Sequence, residues 1–320
     1  MHSISSIVLL LLVFSCALFV VTVEAAFDEA YYYRCVAGCR RMPLPQARAI
    51  CFAACMAKAT GNEIMNTRVV SNNIKLRLHY WNIRGRVQAV RYMLEDIAHK
   101  HEHVDYKETF EPVNTMMSTW AKRKSDQTVS GPFRTLPVLH WNDSHTFSQS
   151  LTIGQLLAKK FDLYGQLTSK VNDQHFLETY IDGVVSCAYT DIISNLITCI
   201  WSTVNFVDDT NPSNRLTRKI PNDLKALNDL LEKSSTSFYY DQHQPTIADY
   251  FVFEAFTMAR DYSKRFLPNE ENYQSLIKLE HVMKQRPAIA NYFKQNLLSK
   301  RFTGSPKETE YMINLTTPLK

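Results

Sequence analysis

Leu76-Arg77-Leu78-His79-Tyr80-Trp81-Asn82-Ile83-Arg84-Gly85-Arg86 is the stretch on which the fold turns. Its first residues alternate apolar and polar side chains, the period of a strand with one buried face. Val87, Val90, Leu94, Ile97 and Ala98 then recur at helical spacing. A strand therefore hands over to a helix through a turn that carries Arg84, Gly85 and Arg86. Further along, His103 to Thr109 reads as a second strand, and residues 110–135 as a long polar connection of the kind that often carries function. Pro137 to Trp141, a turn at Asn142-Asp143-Ser144, and Thr146 to Ser148 read as a hairpin. A helix follows, with Ile153, Leu156, Leu157 and Phe161 inward. The predicted order is β-α-β-loop-β-β-α. Beyond Gly165 only helical periods recur, including Leu224, Leu227, Leu230 and Leu231, and Leu276, Leu279, Val282 and Met283. Thr246-Ile247-Ala248-Asp249 has the spacing of a capping box. Residues 303–320 lack periodicity and read as a loose extension.

The chain has 320 residues, 45% hydrophobic and 21% charged, values of a globular protein of about two domains. Only 8 residues are glycine, where an average composition gives roughly 22. Neither a Walker-type nor a dinucleotide-type glycine loop is present. The net charge of +5 is mild and its lysines and arginines are dispersed, which argues against a nucleic-acid binder.

Ile7 to Val23 is almost wholly apolar and is followed by Val23-Glu24-Ala25, the form of a secretory signal with cleavage before Ala26. The rival reading is an uncleaved anchor, because a run of 17 residues approaches the length of a span. No later stretch reads as long and apolar enough to cross a bilayer. Residues 1–25 are thus expected to be a signal peptide and the protein to be secreted or lumenal. Asn142-Asp143-Ser144 and Asn314-Leu315-Thr316 are sequons consistent with that route.

Cys35, Cys39, Cys51 and Cys55 form two C-x3-C pairs, with Pro43 and Pro45 between them. Cysteines four apart share a helix face. Two such pairs can staple an antiparallel helical hairpin over residues 26–65, the natural pairing being Cys35–Cys55 and Cys39–Cys51. Zinc is the rival, disfavoured by the spacing and by an oxidising route. Cys187 and Cys199 lie in apolar helical sequence and read as buried thiols, with a bond between them as the alternative.

Tyr80 to Arg86, Leu136-Pro137-Val138-Leu139, Gln149-Ser150 and Thr246 to Tyr250, in this order over Lys75 to Leu298, resemble the soluble, tyrosine-type glutathione S-transferases, with a mu-, pi- or sigma-like tone. The resemblance implies an α+β, thioredoxin-like glutathione-binding subdomain over residues 74–165 and an all-α subdomain over 166–302, with a tail at 303–320. It implies conjugation of glutathione, a co-substrate with no further cofactor and no metal, to a hydrophobic electrophile. It also implies a homodimer. No nucleic-acid partner is expected, and no membrane partner once the signal is removed.

The residue roles follow from that resemblance. A thiol with a pKa of ~8.5 is mostly protonated at neutral pH, and Tyr80 stands where the family places the hydroxyl that stabilises the thiolate. Arg86, just behind it, is expected among the residues that bind glutathione. Pro137 matches the family's cis-proline, leaving the Leu136 backbone to pair with the glutathione backbone. Gln149 and Ser150 match the pair that holds the γ-glutamyl end at a helix N-terminus, where Ser150 could equally be a simple N-cap. Trp120 and Lys124 match the side chains that hold the glycine carboxylate. Phe133 matches the aromatic that locks into a partner subunit. Three features depart from the pattern. Thr135 replaces the commoner amide, the stretch from Pro137 to Gln149 is one residue longer, and Ser186 stands where relatives carry an Asp about one turn beyond Asp182. His99, His101 and His103 alternate, and read as a solvated cluster rather than a metal site. A ligand-binding protein without catalysis and a sigma-like prostaglandin isomerase remain as alternatives, and the cysteine hairpin could be a targeting or toxin-like module.

Overall fold

The structure is a computed structural model, which describes residues 12–14, 17–19, 73–113, 119–201, 218–262 and 270–305. The chain divides into two compact units, Met1–Asn72 and Asn73–Lys320. In the first, β1 (Leu12–Phe14) and β2 (Ala17–Phe19) pair antiparallel, Val13 opposite Leu18. The remainder of the apolar run Ile7 to Val23, and all of Cys35, Cys39, Cys51 and Cys55, lie outside the described residues.

The second unit begins with β3 (Ile74–Trp81), in which Leu76, Leu78 and Tyr80 point to the core while Arg77 and His79 face the other way. Helix α1 (Gln88–Lys100) returns the chain to β4 (Val104–Glu111), parallel to β3. The long connection carries two single-turn helices, α2 (Trp120–Arg123) and α3 (Gln127–Ser130). Asp126 caps the latter through the Thr128 N–H at 2.9 Å. The hairpin β5 (Val138–Trp141) and β6 (His145–Ser148) completes a sheet of order β4-β3-β5-β6. Asn142 and Asp143, both at positive φ, form its turn. Helix α4 (Ser150–Lys160) packs beside α1 against the sheet.

Helices then follow: α5 (Gln174–Ser186), a π-helical segment Cys187–Ile193, α6 (Ser194–Trp201), α7 (Ile220–Glu232), α8 (Ile247–Tyr262), α9 (Gln274–Gln285) and α10 (Pro287–Lys294). Helix α8 is buried on nearly every side and packs against α5, the π segment, α9 and α1. It is the common wall of both subdomains. Its start is the predicted capping box: the Asp249 carboxylate accepts the Thr246 N–H at 2.7 Å and the Thr246 hydroxyl at 2.8 Å.

Two expectations need correction. The continuous helical run Gln174–Trp201 is long and apolar enough, by length and composition, to cross a bilayer. Here its apolar stripe (Leu177, Ile181, Val185, Ala188) is buried against α8, so protein takes the place that lipid would otherwise fill. The tail is also not loose from residue 303: Phe302, Thr303 and Ser305 are buried. Cys199 is buried and Cys187 only half-buried, with burial pushing the Cys187 thiol up to about 11.

Candidate active site

The sheet topology brings the expected residues to one end. Strand β5 runs antiparallel to β3, with Val138 opposite His79, so Leu136 and Pro137 continue that register alongside Trp81 and Tyr80. Strand β6 ends at Ser148, opposite Val138, and Gln149 and Ser150 follow at once. Tyr80, Leu136, Pro137 and Ser150 therefore share one edge, although they are up to 70 positions apart in the sequence.

Tyr80 is buried, and its Oη accepts the Arg86 N–H at 3.2 Å. Burial raises its phenol above the ordinary 10, although the Arg86 N–H and the charges of Arg91 and Arg86 pull it back. The hydroxyl thus keeps its proton at neutral pH. With its oxygen already accepting from Arg86, that proton is available to donate. Gly85 makes this possible. It has φ +52°, and a Cβ there would stand 2.5 Å from Tyr80 Oη. Only glycine fits both the backbone angle and the close approach.

The turn that holds Tyr80 is clamped from two sides. Arg84 is buried and donates to both Glu254 oxygens, at 3.1 and 3.0 Å, and to Asp261 at 2.8 Å. Burial opposes its charge, but Glu254 and Asp261 more than compensate and hold its pKa above the ordinary value. From the other side a strap of the C-terminal segment pairs with the turn. Arg84 N–H donates to Arg301 O at 2.8 Å and Gly85 N–H to Phe302 O at 2.9 Å. The Phe302 ring lies under the Arg84 guanidinium at 5.3 Å.

The Leu136–Pro137 peptide is cis, with Leu136 half-buried and Pro137 buried. Gln149 is exposed at φ +74° and occupies the N-cap of α4 without a side-chain bond. Ser150 is the first helical residue, so it is not the N-cap that sequence reasoning allowed. It is 1% exposed, and its hydroxyl neighbours the Tyr189 phenol without strict hydrogen-bonding geometry. A buried hydroxyl at the N-terminus of a helix of 11 residues is suited to an anion, because the first-turn N–H groups are unpaired within the helix.

Trp120 and Lys124 stand on the single turn of α2 and its C-cap. Trp120 meets Trp81 edge-on, with ring centroids 5.2 Å apart, and so lies next to the Tyr80 strand end. Lys124 is exposed on the same turn. Arg123 anchors this turn through buried Glu111 at 2.7 Å, and His79 shares that carboxylate at 3.0 Å. Arg86 is half-buried and acts electrostatically on both Tyr80 and Tyr189. Phe133 is 64% exposed. Asp182 is engaged by the Tyr164 hydroxyl at 2.8 Å and by Gln155 at 3.3 Å, while Ser186 is exposed. His101 packs against His103 and Phe161. Among the described residues no group of three His, Cys, Asp or Glu side chains is arranged to hold a metal.

Two residues that sequence reasoning passed over belong here. Tyr189 projects from the π segment, and its phenol, raised by burial, is pulled back by Ser150 and Arg86. Insertions of this type recur at functional sites, but a π turn has no signature in the hydrophobic period. Arg91 lies on the inward stripe of α1 beneath Tyr80. A charge among Val87, Val90 and Leu94 was its available signal. A cavity of about 690 Å³ lies elsewhere, between Asp96, Phe161, Gln242, Tyr250 and Arg286, and does not include Tyr80.

Residues 190–296 match the family described as the glutathione S-transferase C-terminal domain. Among solved structures, the chain is similar to a glutathione S-transferase of Caenorhabditis elegans (22% identity, TM-score 0.55, covering 69% of this chain and 98% of that one). It is also similar to the Pi-class glutathione S-transferase of Onchocerca volvulus (19%, 0.52, 69% and 93%). Rat hPGDS complexed with a quinoline is a third (23%, 0.51, 69% and 96%). The fold is that of the glutathione S-transferases. A comparison with curated protein sequences gave no match. Within the glutathione transferase fold, β3 to α4 form the thioredoxin-like layer and α5 to α10 the helical one.

Proposed function

We propose that this protein is a glutathione transferase that joins the glutathione thiolate to the electrophilic carbon of a small hydrophobic molecule. The observation that carries this reading is the convergence, at one sheet end, of a protonated Tyr80 donor, the Leu136–cis-Pro137 edge and the buried Ser150 hydroxyl at the α4 N-terminus. The Tyr80 hydroxyl donates to the sulfur and stabilises the anion. Leu136 offers backbone groups to the peptide, and the α4 N-terminus with Gln149 and Ser150 takes the γ-glutamyl carboxylate. Lys124 and Trp120 take the glycine carboxylate, and Arg86 adds positive charge. The thiolate attacks the electrophilic carbon, and a halide or other leaving group departs with the bonding pair.

We assign the finer features to the same proposal. These are a mu-, pi- or sigma-like ancestry, a homodimer with Phe133 as its lock, and action in the secretory pathway or outside the cell after removal of residues 1–25. Purified protein with glutathione and chlorodinitrobenzene tests the activity. Turnover that falls at least tenfold in Tyr80→Phe is expected; turnover unchanged by that substitution, or none in the wild type, refutes catalysis. A second reading, a glutathione transferase fold that binds ligands without turnover, is favoured by exposed Ser186 and by Asp182 being already engaged by Tyr164 and Gln155. Failure to be retained on immobilised glutathione would select it.

A further inference from the structure

Arg91 is buried at 2% exposure, and with Arg84 it is one of two buried arginines among the described residues. Its guanidinium has two kinds of neighbour. Along one edge it gathers the turn after β3: Nη1 donates to Ile83 O at 2.6 Å, Nη2 to Trp81 O at 3.0 Å, and Nη1 also to Gln88 Oε1 at 3.1 Å. Nε donates to Glu108 Oε1 at 2.8 Å. Its plane also lies against two rings that are neighbours across β3 and β4, with the guanidinium carbon 5.5 Å from the Tyr80 centroid and 5.7 Å from that of Phe110.

We propose that Arg91 is a positioning residue for the thiol chemistry, one that sets the donor strength of the Tyr80 hydroxyl by holding a buried positive charge against its ring, with Glu108 limiting that charge. The inference rests on the glutathione transferase reading for its purpose, though not for its physics. A cation over the face of a phenol stabilises the electron-rich, deprotonated ring and so polarises the O–H bond. Tyr80 needs this help because burial works against it. The charged and titratable groups that act on it are Arg86 and Arg91, which favour the anion, and Tyr189, which opposes it. Arg86 is half-exposed to water, whereas Arg91 is not. A buried charge is screened less, so Arg91 is the steadier of the two. Glu108 is itself largely buried, and its carboxyl is raised by burial against the pull of Arg91. The pair can therefore be altered from either side.

The test uses the full chain, two substitutions of opposite sign and a third that conserves the charge. Arg91→Met removes the positive charge, Glu108→Gln removes its counter-charge, and Arg91→Lys keeps the charge without the planar fork. Tyrosine labelled with carbon-13 is followed by NMR against pH in ligand-free protein, with Tyr80→Phe identifying the Tyr80 signal among the 16 tyrosines. Arg91→Met should raise the Tyr80 titration by about one pH unit, the lower end for loss of a close opposite charge. Glu108→Gln should lower it, and Arg91→Lys should stay near the wild type. Absorbance of enzyme-bound glutathione thiolate should follow the same order. At mildly acid pH, kcat in Arg91→Met should fall about tenfold and recover as pH rises, with KM for glutathione nearly unchanged. Shifts of the same sign in Arg91→Met and Glu108→Gln, or none, would overturn the proposal, since loss of turn structure alone has no reason to distinguish the two. If Arg91→Met does not fold, the direction in Glu108→Gln decides. Tyr80 shifts as expected without glutathione binding would refute the functional reading and leave the role of Arg91 standing.

Discussion

Gly85→Ala isolates the link between backbone geometry and chemistry. The residue has φ +52°, where an L side chain costs ~1–2 kcal/mol relative to glycine. The added Cβ would stand 2.5 Å from Tyr80 Oη and 2.8 Å from Cε1. To restore ordinary contact near 3.4 Å the hydroxyl must retreat by about 0.9 Å. It cannot retreat freely, because Arg91 lies against the ring and the Arg301 and Phe302 carbonyls pin the turn. A misplacement of about 1 Å in a reacting group costs on the order of 100-fold in rate. The expected outcome is a modest loss of thermal stability with a far larger loss of kcat in the chlorodinitrobenzene assay. The double variant Tyr80→Phe/Gly85→Ala completes a cycle. If the Cβ acts by displacing the hydroxyl, the double variant should be about as active as Tyr80→Phe alone. Wild-type activity in Gly85→Ala, or two losses that multiply in the double variant, would refute the reasoning.

Three further outcomes are expected. Glu254→Gln leaves the buried Arg84 with only the more exposed Asp261 as a charged partner. Urea unfolding should show a loss of about 3 kcal/mol, the low end for breaking a buried pair, and less when Arg84 is replaced by Met at the same time. Asp249 is buried and its pKa is raised to about 7 from 3.8, burial outweighing its bonds to Thr246 and Tyr239. Its contribution is fully present below about pH 4 and is lost as pH rises through about 7, on the order of 4 kcal/mol. In Asp249→Asn that part of the pH dependence of the unfolding free energy should disappear. A chain ended after Ser299 loses the acceptors of the Arg84 and Gly85 N–H groups, and should lower kcat more than a chain ended after Ser305.

The elements that sequence exposed are the ones made by neighbours. Alternation at Leu76, Leu78 and Tyr80 gives β3, the spacing of Val87, Val90 and Leu94 gives α1, and Thr246 with Asp249 gives the start of α8. The supports of the site are made by residues far apart in the chain, and no local period announces them. Arg84 and Glu254 are 170 positions apart, and Phe302 reaches Gly85 through a carbonyl that any residue could supply. The apolar run Gln174–Trp201 was misjudged for a related reason, since composition shows that a helix wants an apolar neighbour and not whether protein or lipid provides it. This division has a chemical consequence. Sequence can nominate Tyr80 as a donor because its place at a strand end is local. Its acidity depends on burial, on the Arg86 N–H, and on the buried charge of Arg91 on the next helix. The identity of a candidate donor is thus legible one turn at a time, whereas its pKa belongs to the packing of β3, β4 and α1 together.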